Sequence, residues 1–196
     1  MRFLKRVWKF IWEDDSILSW IINIILAFVL VKFVIYPGFG LLLGTEFPVV
    51  AVVSGSMEHN NNFDSWWLTQ QKWYVDNGID RETFMSWPFK DGFNKGDIMI
   101  LKGENAENIK LGDVIVFNGA SRDPIIHRVV KKYNDNNKIF LQTKGDHNSM
   151  SFPELGEEKI SEDRIIGKAF FRIPFLGWVK IIFVTIVDFI TDSFGR

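Results

Sequence analysis

Apolar and polar positions are distributed unevenly along the chain: a long apolar run near the start, a middle of short apolar runs separated by turn residues, and a second apolar run at the end. Ile17 to Tyr36 is interrupted only by Ser19, Asn23 and Lys32. A run of roughly 20 such residues can cross the ~30 Å hydrocarbon layer of a bilayer, so it predicts a transmembrane helix over residues 17–36. A cleaved signal peptide would have a shorter apolar core ending in a small-residue site, which Val34-Ile35-Tyr36-Pro37 does not supply, so the helix is expected to be retained. Residues 1–16 carry Arg2, Lys5, Arg6 and Lys9 among aromatic residues, a basic flank expected to stay on the cytoplasmic side. The stretch Gly38 to Gly44 is apolar but broken by glycines, and is expected to run along the membrane surface.

The middle of the chain, residues 37–172, reads as an extracytoplasmic β domain. Phe47 to Val53 is a β-branched run that stops at Ser54-Gly55-Ser56-Met57-Glu58-His59, the pattern of a buried strand ending in a tight turn. That places a hydroxyl at the rim of a β-core, although serines in a turn are as often simple backbone partners. Two Gly-Asp turns, at Gly96-Asp97 and Gly112-Asp113, each open a short apolar strand. The run from Asp123 to Lys132 predicts a further strand, with Pro124 at its start, where a missing N–H does least harm. Alternation puts Ile125, His127 and Val129 on one face and Ile126, Arg128 and Val130 on the other. Phe140 to Lys144 repeats the form and ends at Gly145-Asp146. Residues 60–94 interrupt this series with Trp66, Trp67, Trp73 and Trp87 but no strand alternation. They read as an insertion with a helix over 64–75 whose tryptophans pack on the core or, on the alternative reading, lie on lipid or substrate.

Residues 173–191 turn apolar again and are expected to form a second membrane helix, with 192–196 as a tail. Lys180, Thr185, Asp188 and Asp192 fall within one broad arc, which leaves open an amphipathic helix lying in the interface. A formal net charge of -1 gives no electrostatic case for nucleic acid. The chain has no cysteine, which excludes disulfides, a thiolate nucleophile and a Cys-ligated zinc site. His59, His127 and His147 lack the i, i+4 spacing of a helical zinc motif, so no metal or cofactor is expected.

Taken in order, the serine turn, the Gly-Asp strands, Ile126-His127-Arg128-Val129-Val130, Thr143-Lys144-Gly145-Asp146 and Ile166-Gly167-Lys168-Ala169 resemble the type I signal peptidases over roughly residues 47–169. Histidine before Arg128 resembles the archaeal and endoplasmic-reticulum branch, in which it replaces the lysine of the bacterial Ser-Lys pair. The resemblance implies a membrane-anchored, mainly β fold. It also implies an endopeptidase that removes signal peptides from secretory precursors, acting outside the cytoplasm at the cell membrane or the endoplasmic reticulum membrane. It departs in two places: His59 stands where many members have proline, and Phe152 stands where a second acidic residue is usual.

On this reading Ser56 attacks the scissile carbonyl once a neighbouring base takes its proton. His127 is the candidate base, a residue type whose ordinary pKa near ~6.5 suits proton transfer at neutral pH. Asp146 is expected to orient the imidazole, with Glu154 as the reserve acid. The Ser56 N–H and the Ser54 hydroxyl are the oxyanion donors that the family suggests. Expected partners are secretory precursors, membrane lipid and accessory membrane subunits. Two further classes stay open at this point: another membrane-associated Ser-His hydrolase, and a non-catalytic anchored domain that binds a partner.

Overall fold

The computed structural model describes residues 2–60, 62–120 and 123–194. The chain folds as two compact units, Met1–Leu42 and Leu43–Arg196.

The first unit begins with α1 (Arg2–Glu13). A short break follows, in which the Asp14 carboxylate accepts the Ser16 N–H at 2.8 Å and the Ser16 hydroxyl accepts the Ser19 N–H at 3.2 Å, capping the next helix. That helix runs as α2 (Ile17–Leu30), a π-helical turn (Val31–Ile35) and α3 (Tyr36–Leu43). Together they make a 27-residue element, Ile17–Leu43, the one helix among the described residues long and apolar enough to cross a membrane. The glycine-broken stretch expected to lie along the surface is thus part of the helix. The physical reason is the wide turn ahead of Pro37. A proline ring in a helix collides with the carbonyl four residues back, and in the π turn, where the Tyr36 N–H reaches Val31 O, the backbone opens just before it. The helix stops at Gly44, whose φ of 66° is the left-handed conformation that glycine takes at a helix end.

The second unit is built on a six-stranded sheet in the order β1-β2-β6-β3-β4-β5: β1 (Val49–Ala51), β2 (Ile98–Lys102), β3 (Val114–Phe117), β4 (Ile125–Asp135), β5 (Lys138–Lys144) and β6 (Ile165–Ile173). All neighbouring pairs are antiparallel. The strand expected to be buried, Phe47 to Val53, is instead a three-residue edge strand. Phe47, Val49 and Val53 are exposed and only Pro48 and Val52 are buried, because an edge strand has a neighbour on one side only. Both Gly-Asp turns form as expected and close the same way: Asp97 accepts the Asn94 N–H at 2.9 Å, and Asp113 accepts the Lys110 N–H at 2.9 Å.

Alternation along β3 divides the core. Val114 and Val116 pack with Val52, Met57, Phe93, Met99 and Leu101, whereas Ile115 and Phe117 pack with Ile109, Val129, Leu141 and Ile160. The insertion makes a third cluster. Its helices α4 (Phe63–Asp76) and α5 (Arg81–Met85) bring Phe63, Trp66, Trp67, Tyr74, Phe84 and Trp87 together against Val130. Val130 reaches that side by alternation, on the face of β4 that it shares with Arg128, while Val129 packs into the cluster on the other. In consequence β4 is buried on both faces from His127 to Val130.

The last helix, α6 (Trp178–Phe194), follows a turn at 174–177 and has 17 residues. The side chains of Lys180, Asp188 and Asp192, on which the choice between span and interface helix turned, lie outside the described residues.

One close approach fixes the start of the second unit. The Gly103 N–H donates to Leu43 O at 2.7 Å, and a Cβ on Gly103 would stand 1.8 Å from Gly44 O. Gly103→Ala should therefore lower the melting temperature in detergent, with an overpacking cost of about 1–3 kcal/mol. Gly38→Ala, at a position with nothing within 4 Å, should leave melting unchanged.

Candidate active site

The serine turn projects from the edge of the sheet into a groove. Its Ser54 and Ser56 hydroxyls lie 3.1 Å apart, and Ser56 Oγ is 2.9 Å from His127 Nε2. His127 sits in β4 opposite Ile115 and is 3% exposed, so its imidazole meets little water except through the groove. Its other ring nitrogen, Nδ1, is hydrogen-bonded to Glu157 Oε1. Serine, imidazole and carboxylate thus form one continuous chain of contacts.

Glu157 is fully buried and its oxygens are well supplied. Thr143 Oγ1 donates to Oε1 at 3.2 Å and the Phe152 N–H donates to Oε2 at 2.7 Å. A buried carboxylate stays charged only with such donors around it. The loop reaches it through a 3-10 turn (Pro153–Leu155) and Gly156, whose φ of 72° reverses the chain. The Thr143 N–H then donates to Glu157 O at 3.0 Å, holding the acid beside β5.

The acids expected for this role lie elsewhere. Glu154 is exposed on the 3-10 turn. Asp146 is fully buried on the far side of β4, where alternation sends Arg128 rather than His127. There it takes a two-point contact from Arg128, Nε to Oδ1 at 2.8 Å and Nη2 to Oδ2 at 2.7 Å, with Tyr74 Oη donating to Oδ1 at 3.2 Å. His59 Nε2 donates to Oδ2 at 2.9 Å, with its ring stacked on Trp66 at 3.7 Å between centroids. Burial pushes the Asp146 carboxyl up, but the guanidinium outweighs it and, with His59, holds the group well below the usual carboxylate range. Burial also lowers Lys144 to about 8, with Asp146 and Glu157 pulling the other way.

Asp146 nonetheless belongs to the architecture of the site. Its turn is stitched to the nucleophile, since the His147 N–H donates to Ser56 O at 2.8 Å and the Asp146 N–H to Met57 Sδ at 3.4 Å. Gly145 lies flat against the base: a Cβ there would be 2.8 Å from His127 Nε2. Sequence reading missed Glu157 because its distance from Asp146 along the chain carries no period. The usable signal was Gly156, a turn residue directly before an acid.

Beside Ser56 opens a groove of about 390 Å³, walled by Ala51 and Val53 on one side and by Pro124, Ile125 and Ile126 on the other, with Phe152 and Leu155 at its end. Phe152, where a second acid was expected, makes this wall apolar. An extended peptide laid along the free edge of β1 would run into it.

No family model matches the chain. Its sequence is similar to the signal peptidase complex catalytic subunit sec11 of Sclerotinia sclerotiorum, 30% identical over 155 residues that cover 76% of this chain and 72% of the relative. The corresponding subunit of Metarhizium robertsii is 28% identical over the same shares. Human SEC11C is 30% identical over 153 residues, 76% of this chain and 63% of the human protein.

The charge pair gives a test of stability. Because the Asp146 carboxyl is held below its ordinary value, its contribution is complete above the unfolded pKa of ~3.9 and fades as pH falls through the folded one. Asp146→Asn leaves Arg128 buried without its counter-charge, so unfolding at neutral pH should become easier by about 3–5 kcal/mol. Chemical denaturation measured from neutral to acid pH should also show a shallower acid limb in the variant.

Proposed function

Because the chain belongs to the family of signal peptidase catalytic subunits, serine endopeptidases that remove signal peptides from secretory precursors, we propose that Ser56, His127 and Glu157 carry its reaction. The observation that supports these roles is the unbroken contact from Ser56 Oγ through the imidazole to a buried carboxylate.

In the first step His127 Nε2 accepts the Ser56 proton as Oγ forms a bond to the scissile carbonyl carbon. Glu157, on Nδ1, keeps the imidazole in the tautomer that presents a lone pair to serine, and stabilises the imidazolium that follows. The carbonyl oxygen gains the charge, and the Ser56 N–H and Ser54 hydroxyl are the donors offered to it. Donors of this kind contribute about 2.7–4 kcal/mol each when they are held in place beforehand. Collapse of the adduct breaks the C–N bond, and His127 hands its proton to the departing amine. Water, activated by the same histidine, then releases the signal peptide from Ser56.

The signal peptide is held as an extended strand on the edge of β1, with its residues near the cut in the groove between Val53 and Ile126. Ile17–Leu43 anchors the enzyme, with α1 in the cytoplasm and the sheet on the opposite side, where exported chains emerge. The relatives' names place them in a complex, and accessory membrane subunits are proposed for this chain too.

Three variants and a topology reporter check this reading. In single-turnover cleavage of a secretory precursor, Ser56→Ala should abolish activity and serine labelling. Glu157→Gln should lower turnover by about 10²–10⁴-fold with little change in substrate binding, since the lost charge acts mainly in the transition state. Glu154→Gln should behave like the unsubstituted enzyme; a collapse there with Glu157→Gln active would transfer the role to Glu154. For topology, a reporter fused after Lys102 should behave as extracytoplasmic, and a cytoplasmic signal would sink the proposed orientation.

A further inference from the structure

We propose that α1 is an in-plane membrane helix, seated in the lipid interface with its aromatic face among acyl chains and its basic face on headgroup phosphates. The pattern is that of an interfacial helix. At about 100° per residue, Lys5, Arg6, Lys9 and Glu13 share one face and Leu4, Trp8, Ile11 and Trp12 the other.

In a soluble protein that apolar face would be the buried one. Here Leu4 is 71%, Trp8 63% and Trp12 69% exposed, and the two indole rings sit 5.6 Å apart on the open side. Among the described side chains of α1, only Phe10 and Ile11 are half-buried. Tryptophan is the side chain that favours the headgroup zone, being apolar in body with one polar N–H.

A second observation identifies the occupant as lipid. The last carbonyls of a helix have no partner within it, and here two are taken by side chains of the apolar span itself. Ser19 Oγ donates to Phe10 O at 2.7 Å and Asn23 Nδ2 donates to Ile11 O at 2.9 Å. These are the two polar residues that interrupt the first half of the span, and the contacts explain both. They also tie the end of α1 to the first two turns of α2, so wherever the span enters the bilayer, α1 is held at that boundary. Its exposed aromatic face then continues the lipid-facing surface of Ile17, Leu18, Trp20 and Ile21, all exposed as well. Lys5, Arg6 and Lys9 are exposed on the other face, where phosphate oxygens lie; Glu13 ends that face at the last position of α1, and Asp14 and Asp15 follow in the break after it.

The absence of cysteine makes the test direct. Single cysteines replace Leu4, Trp8, Trp12, Lys5 or Lys9 in the full chain, reconstituted without other proteins into phosphatidylcholine–phosphatidylglycerol vesicles and spin-labelled. Collision with oxygen reports the hydrocarbon and collision with a water-soluble nickel chelate reports the aqueous side. Labels at 4, 8 and 12 should be accessible to oxygen and protected from nickel, with Lys5→Cys and Lys9→Cys several-fold more accessible to nickel. Leu4→Cys reports with both tryptophans retained, so loss of an indole cannot produce the pattern. Equal nickel accessibility on the two faces would overturn the proposal and leave a protein partner as the cover. The readout does not depend on peptidase activity, so it stands or falls apart from the assignments at Ser56, His127 and Glu157.

Discussion

A buried guanidinium holds the catalytic unit together. Arg128 is fully buried with all five of its N–H groups satisfied: two by Asp146, and one each by the carbonyls of Pro88, Phe89 and Gly112. Those partners come from the insertion, the turn before β3 and the turn after β5. One charged side chain therefore fixes three segments relative to β4. A charge taken out of water is costly unless its partners are complete, and here partial assembly would leave an ion uncompensated. That makes the arrangement close to all-or-none.

The aromatic insertion completes the enclosure. Phe84 lies 4.8 Å and Trp87 6.0 Å from the guanidinium, supplying ring faces to a cation as well as excluding water. Trp66 carries His59 on its face and donates its Nε1–H to Asp146 O at 3.1 Å. The tryptophans of the insertion thus pack on a charge pair as much as on an apolar surface. His59 supplies a further hydrogen bond to the same carboxylate. Burial pushes Arg128 down, but Asp146 outweighs this and the guanidinium ends above its ordinary value.

The strand that carries Arg128 also carries His127, and pleating sends the two to opposite faces. One face holds the buried ion pair and the other the chain of contacts from Ser56 through His127 to Glu157. The two are coupled through the turn at residues 145–148, where Asp146 is locked from below and the His147 N–H holds Ser56 O from above. Separation of the carboxylates follows from this. Asp146 neutralises a permanent cation, while Glu157 contacts the imidazole of His127. The same division places hydrophobic Phe152 in the groove, since with Glu157 on the imidazole the wall can be apolar.

The sequence by itself determined the elements that local patterning controls. The apolar run from Ile17, the Gly-Asp turns, the helix over the tryptophans and the serine turn are all short-range features, and each formed where its residues indicated. The contact of Ser56 with His127 was legible because a turn after a β-branched run and a histidine at an apolar position are local anomalies. Which acid serves His127 was not, because Asp146 and Glu157 are both acids near turns and differ only in which face of β4 they reach. The continuation of the helix through Gly38 and Gly40 was likewise hidden. Glycines that break a helix in water leave it intact where helical hydrogen bonds are the only partners on offer. Tertiary structure decided these matters for one reason: a carboxylate is assigned by the cation and donors that surround it, and those come from residues 18 to 87 positions away along the chain for Asp146 and from the reversal at Gly156 for Glu157.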